Sequence, residues 1–259
     1  MKAWACGLWL CMWVCGPTTV AQTTIQRDQQ ALTIIAQIIT AGGGQDALLS
    51  IQDITASGTV TYYGADQTTG NATIKSRGSN QFRLDADLPA GRRTTVVTGN
   101  SGELIDADGS FLPISRQNAL DLGSIAFPYK PLISALQDSS ISIFYIGLVD
   151  HNGASAYDIR IQNTYTSNQD PHGTRGAREA RDFYIDSNSF VVLSISDELH
   201  FGAEDNGIAH EIDYSNYQVE NGVLMPLGVA DNVNGAIDCS ITIQGVIFNS
   251  GLTDADFLW

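Results

Sequence analysis

Two periodicities divide the chain. Leu32, Ile35, Ile38 and Ile39 recur at helical spacing after Asp28, and Gly42-Gly43-Gly44 stops the run, which predicts a helix with a further turn or two over 46–51. From Ile54 the period falls to two. Ile54, Ala56, Gly58, Val60 and Tyr62 share one side and Thr55, Ser57, Thr59 and Thr61 the other, the signature of a half-buried strand. Phe82, Leu84, Ala86 and Leu88 alternate with Gln81, Arg83, Asp85 and Asp87, and 71–77 and 92–98 read as their antiparallel neighbours.

The middle of the chain breaks this pattern. Segments 115–123 and 128–137 are predicted helices; Leu132, Ile133 and Leu136 form an apolar stripe, and Pro131 is tolerated in a first turn. Strands resume at 141–149, apolar on both phases, which predicts a strand covered on both faces. Tyr157, Ile159 and Ile161 follow an Asn152-Gly153 turn. Hairpins at 182–201 and 209–248 complete the chain, their apolar phase carried by Val191, Leu193 and Ile195, then by Ile237, Cys239, Ile241 and Ile243, with a turn at Glu220-Asn221-Gly222. Roughly ten strands and a few helices make a mainly β (α+β) protein with one large antiparallel sheet, and a sheet of that size must curl or close.

Residues 1–21 stand apart. Met1-Lys2, an apolar stretch from Ala3 to Gly16, the break at Pro17 and the small residues before Gln22 have the form of a signal peptide, so 22–259 is expected to be a single exported, periplasmic domain. Lipid attachment at Cys15 is disfavoured because Val14 stands where a small residue is expected. Export removes Cys6, Cys11 and Cys15 and leaves Cys239, which makes no internal disulfide and falls in the apolar phase of its strand as a small buried hydrophobe. The chain holds 28 Asp and Glu against 13 Lys and Arg, one of them Lys2, a balance that argues against nucleic acid and anionic surfaces.

The residues do not declare a reaction. There is no GxSxG elbow, phosphate loop or HExxH pair. His200 and His210, near Glu204, Asp205 and Glu211, match no metal-motif spacing and are expected to flank a loop; His151 and His172 are expected at the surface. No catalytic residue, metal site or cofactor is expected. Arg175, Arg178 and Arg181 read either as a solvated loop or as a contact for a headgroup or acidic partner. Tyr63, Tyr165 and Tyr217, expected to be exposed, read either as a partner surface or as ordinary cross-strand pairs.

A secreted chain with an N-terminal helix, KSRGSNQFRLD in its first strand block, a helical insertion, a FYID hairpin, a YSNYQVENGVLMP hairpin and a closing FNSGLTDADF resembles the LolA/LolB-like periplasmic lipoprotein carriers and outer-membrane lipoprotein-sorting proteins. The resemblance spans most of 22–259. It implies an unclosed half-barrel whose apolar face is covered by helices and holds acyl chains. Leu32, Ile35 and Ile39, with Leu132 and Leu136, would then belong to lid helices. Arg77 matches the family's lid-latch arginine, although Gly78 replaces a common proline and the spacing to Phe82 is longer; a solvated strand-end arginine is the other reading. The expected groove lining is Val60, Phe82, Leu84, Val97, Ile143, Val191, Leu193, Ile195, Ile241 and Ile243. The expected function is non-enzymatic binding of an acyl chain, lipid or lipoprotein in the cell envelope. The alternative is a non-catalytic envelope scaffold or protein-interaction module with a solid core.

Overall fold

A computed structural model describes residues 25–99, 101–122, 125–202 and 206–258, without the side chains of 117, 120 and 121. The expected signal peptide and Cys15 lie outside the described residues, as do Glu204 and Asp205.

One antiparallel sheet of thirteen strands organises the molecule. Its first block is β1 (Asp53–Tyr63), β2 (Gln67–Arg77), β3 (Gln81–Leu88), β4 (Gly91–Thr98), β5 (Ser101–Ile105) and β6 (Phe111–Ile114). The second is β7 (Ile141–His151), β8 (Ala154–Asn163), β9 (Arg181–Asp186), β10 (Val192–Leu199), β11 (Ile208–Glu220), β12 (Val223–Val233) and β13 (Ala236–Phe248). Each block is a meander of sequential neighbours, and β1 joins β13 to make the sheet continuous. The edges are β6 and β7, so the sheet is not closed. Tight hairpins form where Asn-Gly supplies two positive φ angles: Asn152 (53°) and Gly153 (83°), Asn221 (50°) and Gly222 (85°), Asn234 (53°) and Gly235 (76°).

Helices α1 (Gln29–Ala41), α2 (Gln45–Ser50), α3 (Arg116–Leu122) and α4 (Tyr129–Gln137) follow the predicted helical segments, and a short α5 (Thr174–Arg178) precedes β9. The apolar stripe of α1 buries Ala31, Ile34, Ile35, Ile38 and Ile39 against the inner face of the sheet. The stripe of α4 adds Leu132 and Ala135, while Leu32, Ile133 and Leu136 pack at its margin. Each fully buried branched side chain contributes about 1.5–3 kcal/mol, so this layer is a principal source of stability.

Bulges correct the predicted phase in two hairpins. Pairing slips at Leu193, so Val192 and Ile195 face the core while Val191 and Leu193 do not join it. A second slip near Asp238 leaves Ile237 46% exposed, although Cys239, Ile241 and Ile243 are buried as expected. A third lies at Gly58, where a Cβ would stand 2.0 Å from the Thr242 carbonyl oxygen. The expectation that 141–149 is covered on both faces also fails. β7 is an edge strand; Ile146, at a further slip in pairing, is 50% exposed and Leu148 58%. Its apolar second phase reflects a partly uncovered edge, not a second packed layer.

Candidate functional site

The inner face brings together most of the expected groove residues. Val60, Phe82, Leu84, Val97, Ile143, Ile195, Ile241 and Ile243 belong to one buried cluster with α1 and α4, whereas Val191 and Leu193 are replaced there by Val192. These side chains meet the protein's own helices over most of their area. Among the described residues this face also lines a cavity of about 110 Å³. Its apolar floor is Phe82, Leu84, Val229 and Ile241, and Leu122, at the end of α3, and Ile125, in the connection to α4, complete the lining.

The mouth of this cavity is polar. Arg93 donates to Asp106 at 2.7 and 3.3 Å and lies 4.6 Å from the centre of the Tyr62 ring, leaving its guanidinium held on two sides. Asp231 and Asp238 complete the rim beside Cys239. Burial pushes the Cys239 thiol up, away from thiolate chemistry. Next to Asp231, the buried His210 bridges two carboxylates, with Nδ1 2.5 Å from Asp197 and Nε2 3.0 Å from Asp231. Burial disfavours its charge, yet the two carboxylates prevail and raise its pKa to about 10. His210 is therefore an imidazolium that fixes one side of the rim.

The helical roof is held by backbone and side-chain hydrogen bonds. The chain entering α1 pairs with β7: the Asp28 N–H donates to the Ile143 carbonyl (2.9 Å) and the Ile143 N–H to the Gln26 carbonyl (2.8 Å). Beyond α1, the Leu224 N–H of β12 donates to the Gly42 carbonyl at 3.0 Å. Gly43, at φ 121°, has no room for a Cβ, which would lie 2.4 Å from the Gly222 carbonyl oxygen. The end of α4 packs Ala135 into the core and is hydrogen-bonded there by a side chain. Arg27 donates to the carbonyls of Ala135 (3.0 Å), Leu136 (3.2 Å) and Asp138 (3.1 Å), satisfying the helix C-terminus with a cation.

Arg77 does not latch this roof. Lys75 and Arg77 follow the opposite phase of β2 from Ile74 and therefore point to the outer face. There Arg77 donates to Gln81 (2.6 Å), to the Leu252 carbonyl (3.0 Å) and to Asp254, and it lies 5.8 Å from the Phe257 ring centre. Lys75 binds Asp256 at 2.7 Å. These contacts strap the C-terminal 3-10 turn, Asp254–Phe257, across the outer side of the first strand block.

The other nominated groups are distributed differently. His200, just after β10, and His210, the third residue of β11, are both buried; the His200 main-chain N–H donates to Asn118 Oδ1 and its Nδ1 receives Arg178. His172 is exposed as expected, whereas the His151 side chain is only 13% exposed and stacks on Tyr184. The basic segment is not a free patch. Arg175 lies over the Tyr165 ring at 4.1 Å and Arg178 also donates to the Gly202 carbonyl. Tyr63 is 42% exposed, but Tyr165 is bonded to Glu179 and the Tyr217 hydroxyl donates to the Val192 carbonyl at 2.6 Å.

No family model matches the chain, and no curated protein does. Solved structures do. A putative outer membrane lipoprotein-sorting protein domain from Vibrio parahaemolyticus superposes with a TM-score of 0.53 at 12% identity, covering 88% of this chain and 96% of its own. A LolA superfamily protein from Nitrosomonas europaea gives 0.54 at 8% identity, covering 88% and 97%. The fold is LolA-like. At these identities the likeness concerns architecture, and it agrees with an unclosed sheet roofed by helices. Within this LolA-like frame, the cavity and Arg27 were not legible from spacing. Arg27 reaches α4 across more than a hundred residues, and its position just before the α1 start signal was the only local hint.

Proposed function

We propose that this protein is an exported envelope protein that takes an acyl chain, of a free lipid or of a lipoprotein, beneath its helical roof without chemical conversion. The observation that supports this reading is the cavity: apolar at its floor, polar at its mouth, and placed between the sheet and the helices of a LolA-like fold. Each methylene buried there contributes about 0.8 kcal/mol, enough for affinity without a specific polar contact. At about 110 Å³ the cavity is smaller than the roughly 300–1,000 Å³ of a typical small-molecule site, so on this reading the roof is closed and the cavity admits a chain tip. Longer tails require the α3–α4 side to move, the side held by Arg27. Leu132 and Leu136 of α4 then act as lid residues, and Phe82, Leu84 and Ile241 on the floor meet the tail. Leu32, Ile35 and Ile39 of α1 form the fixed part of the roof.

Native mass spectrometry of protein purified without detergent from an envelope fraction tests this reading. The expected result is a discrete added mass that organic extraction removes. Protein carrying no adduct, and acquiring none from added palmitate, would contradict it. A second reading, a non-catalytic interaction module with a solid interior, is favoured by the extent to which the inner face is already filled and by the exposed Ile146 and Leu148 on the β7 edge. It predicts capture of a protein partner by that edge and no retained lipid.

A further inference from the structure

The outer face of the second strand block carries a cluster that the lipid-binding reading does not use. Glu211 and Asp213 stand two residues apart on β11 and so project to the same side. Register places Asp213 beside Ser194 of β10, Ser194 beside Tyr184 of β9, and Tyr184 beside Asp158 of β8. His151, the last residue of β7, lies flat on Tyr184, with ring centres 3.9 Å apart and planes inclined by 8°. That stack fixes the imidazole so that Nε2 faces Glu211 Oε1 at 3.1 Å and Ser194 Oγ at 2.8 Å.

We propose that His151, Glu211 and Asp213 form a binding site for a divalent transition-metal ion of the zinc class. One donor atom from each residue lies within 4.8 Å of the others. Zinc binds imidazole nitrogen and carboxylate oxygen at about 2.0–2.2 Å in tetrahedral geometry, which calls for donors roughly 3.5 Å apart. Small side-chain rotations bring the three to that spacing and leave a fourth position for water. Three further observations point to a cation. The two carboxylates repel each other when both are ionised, and a divalent ion between them removes that cost. The Asn232 side-chain amide donates to Asp213 Oδ2 at 2.9 Å and to the Glu211 main-chain carbonyl at 3.3 Å, orienting the Asp213 carboxylate as an outer partner does at a metal site. Asp158, in the same row and only 7% exposed, has a buried Oδ1 with no hydrogen-bond partner, while the nearby Arg160 is engaged by Asp182 at 2.7 Å through two bonds. This face is thus short of positive charge. One nitrogen and two oxygen donors suit zinc, nickel or copper better than calcium, which takes 6–8 oxygen ligands, or magnesium, which keeps most of its water.

The test uses the full mature chain, stripped with chelator and titrated with zinc chloride at neutral pH by calorimetry, with cobalt(II) absorption as a second readout. The expected result is one saturable site, a visible cobalt band of tetrahedral intensity, and no response to magnesium. His151→Phe keeps the ring stack on Tyr184 and removes the ligand nitrogen; it should weaken zinc at least tenfold and abolish the cobalt band. Glu211→Gln and Asp213→Asn should each weaken zinc by a similar factor while near-ultraviolet circular dichroism stays native. His172→Ala, at an exposed histidine, should change nothing. Absence of saturable binding, or binding that survives His151→Phe, would overturn the proposal, as would equal loss in His172→Ala. A native spectrum for Glu211→Gln keeps the test decisive if His151→Phe does not fold.

Discussion

The two faces of the sheet are built on opposite terms. The inner face is apolar, covered and nearly full, and its polar groups at the rim are matched: Arg93 by Asp106 and Tyr62, His210 by Asp197 and Asp231. The outer face is more polar and carries the C-terminal segment over its first block. Its first block is tied down by a basic strap of Lys75, Arg77 and Arg83 on the C-terminal segment, while its second block collects carboxylates around His151. The contrast teaches that inner-face substitutions are governed by packing and outer-face ones by charge. It also separates what holds the fold together from what holds a ligand.

The largest effect is expected inside. Ile35 is fully buried in α1, and Ile35→Ala should cost about 2–5 kcal/mol in chemical denaturation, against less than about 1.5 kcal/mol for the marginal Leu136→Ala on α4. Equal costs would contradict the placing of Leu136 at the margin of the core. Arg27→Ala should cost about 1–3 kcal/mol, because three carbonyls at the end of α4 lose a charged donor. Hydrogen exchange should then accelerate in 129–137 and leave 29–41 protected. Arg77→Ala should cost about 1 kcal/mol, freeing the C-terminal turn without changing lipid retention; altered retention would restore a role for Arg77 in the roof.

Titration separates the faces further. Burial, reinforced by Asp182, raises Asp158 from 3.8 to about 6, so its ionisation in the folded state opposes folding and stability declines as pH rises from about 4 through 6. His210 is raised from 6.5 to about 10, so the stability it supplies is complete below about 6.5 and is lost as pH rises through about 10. Both effects make the protein more stable at pH 5 than at pH 8, measurable as melting temperature. Asp158→Asn should reduce the lower part of that slope, which Asp213, raised to about 6 by burial and by Glu211, shares, and His210→Gln should reduce the upper part. The smallest effect belongs to Tyr129→Phe. The Tyr129 hydroxyl is buried with no hydrogen-bond partner, so its removal should be neutral or slightly stabilising.

Local alternation made much of this architecture legible. Ile54 to Tyr62, Phe82 to Leu88 and the Ile35–Ile39 stripe each carry their burial in their spacing, and Asn-Gly pairs mark the turns. A bulge carries no comparable signal: one inserted residue at Leu193 or Asp238 reverses the phase, so alternation alone assigns Val191, Leu193 and Ile237 to the wrong face. β7 misled for another reason. Apolar residues on both phases look alike whether the second face is packed or sits at an edge, and only the sheet order distinguishes Ile146 from a core residue. Arg27, which holds α4, and the grouping of His151 with Glu211 and Asp213 depend on contacts between distant strands and helices, and no spacing within one segment encodes them.

The central claim is that an acyl tail enters between Leu84 on the sheet and Leu122 and Ile125 on the roof. Calorimetric titration of palmitate into the wild-type chain and into Leu84→Trp, which fills the cavity, tests it most directly. Saturable binding to the wild type and a loss of at least tenfold in Leu84→Trp are predicted. Equal affinity of the two proteins, or no binding to either, would contradict the account.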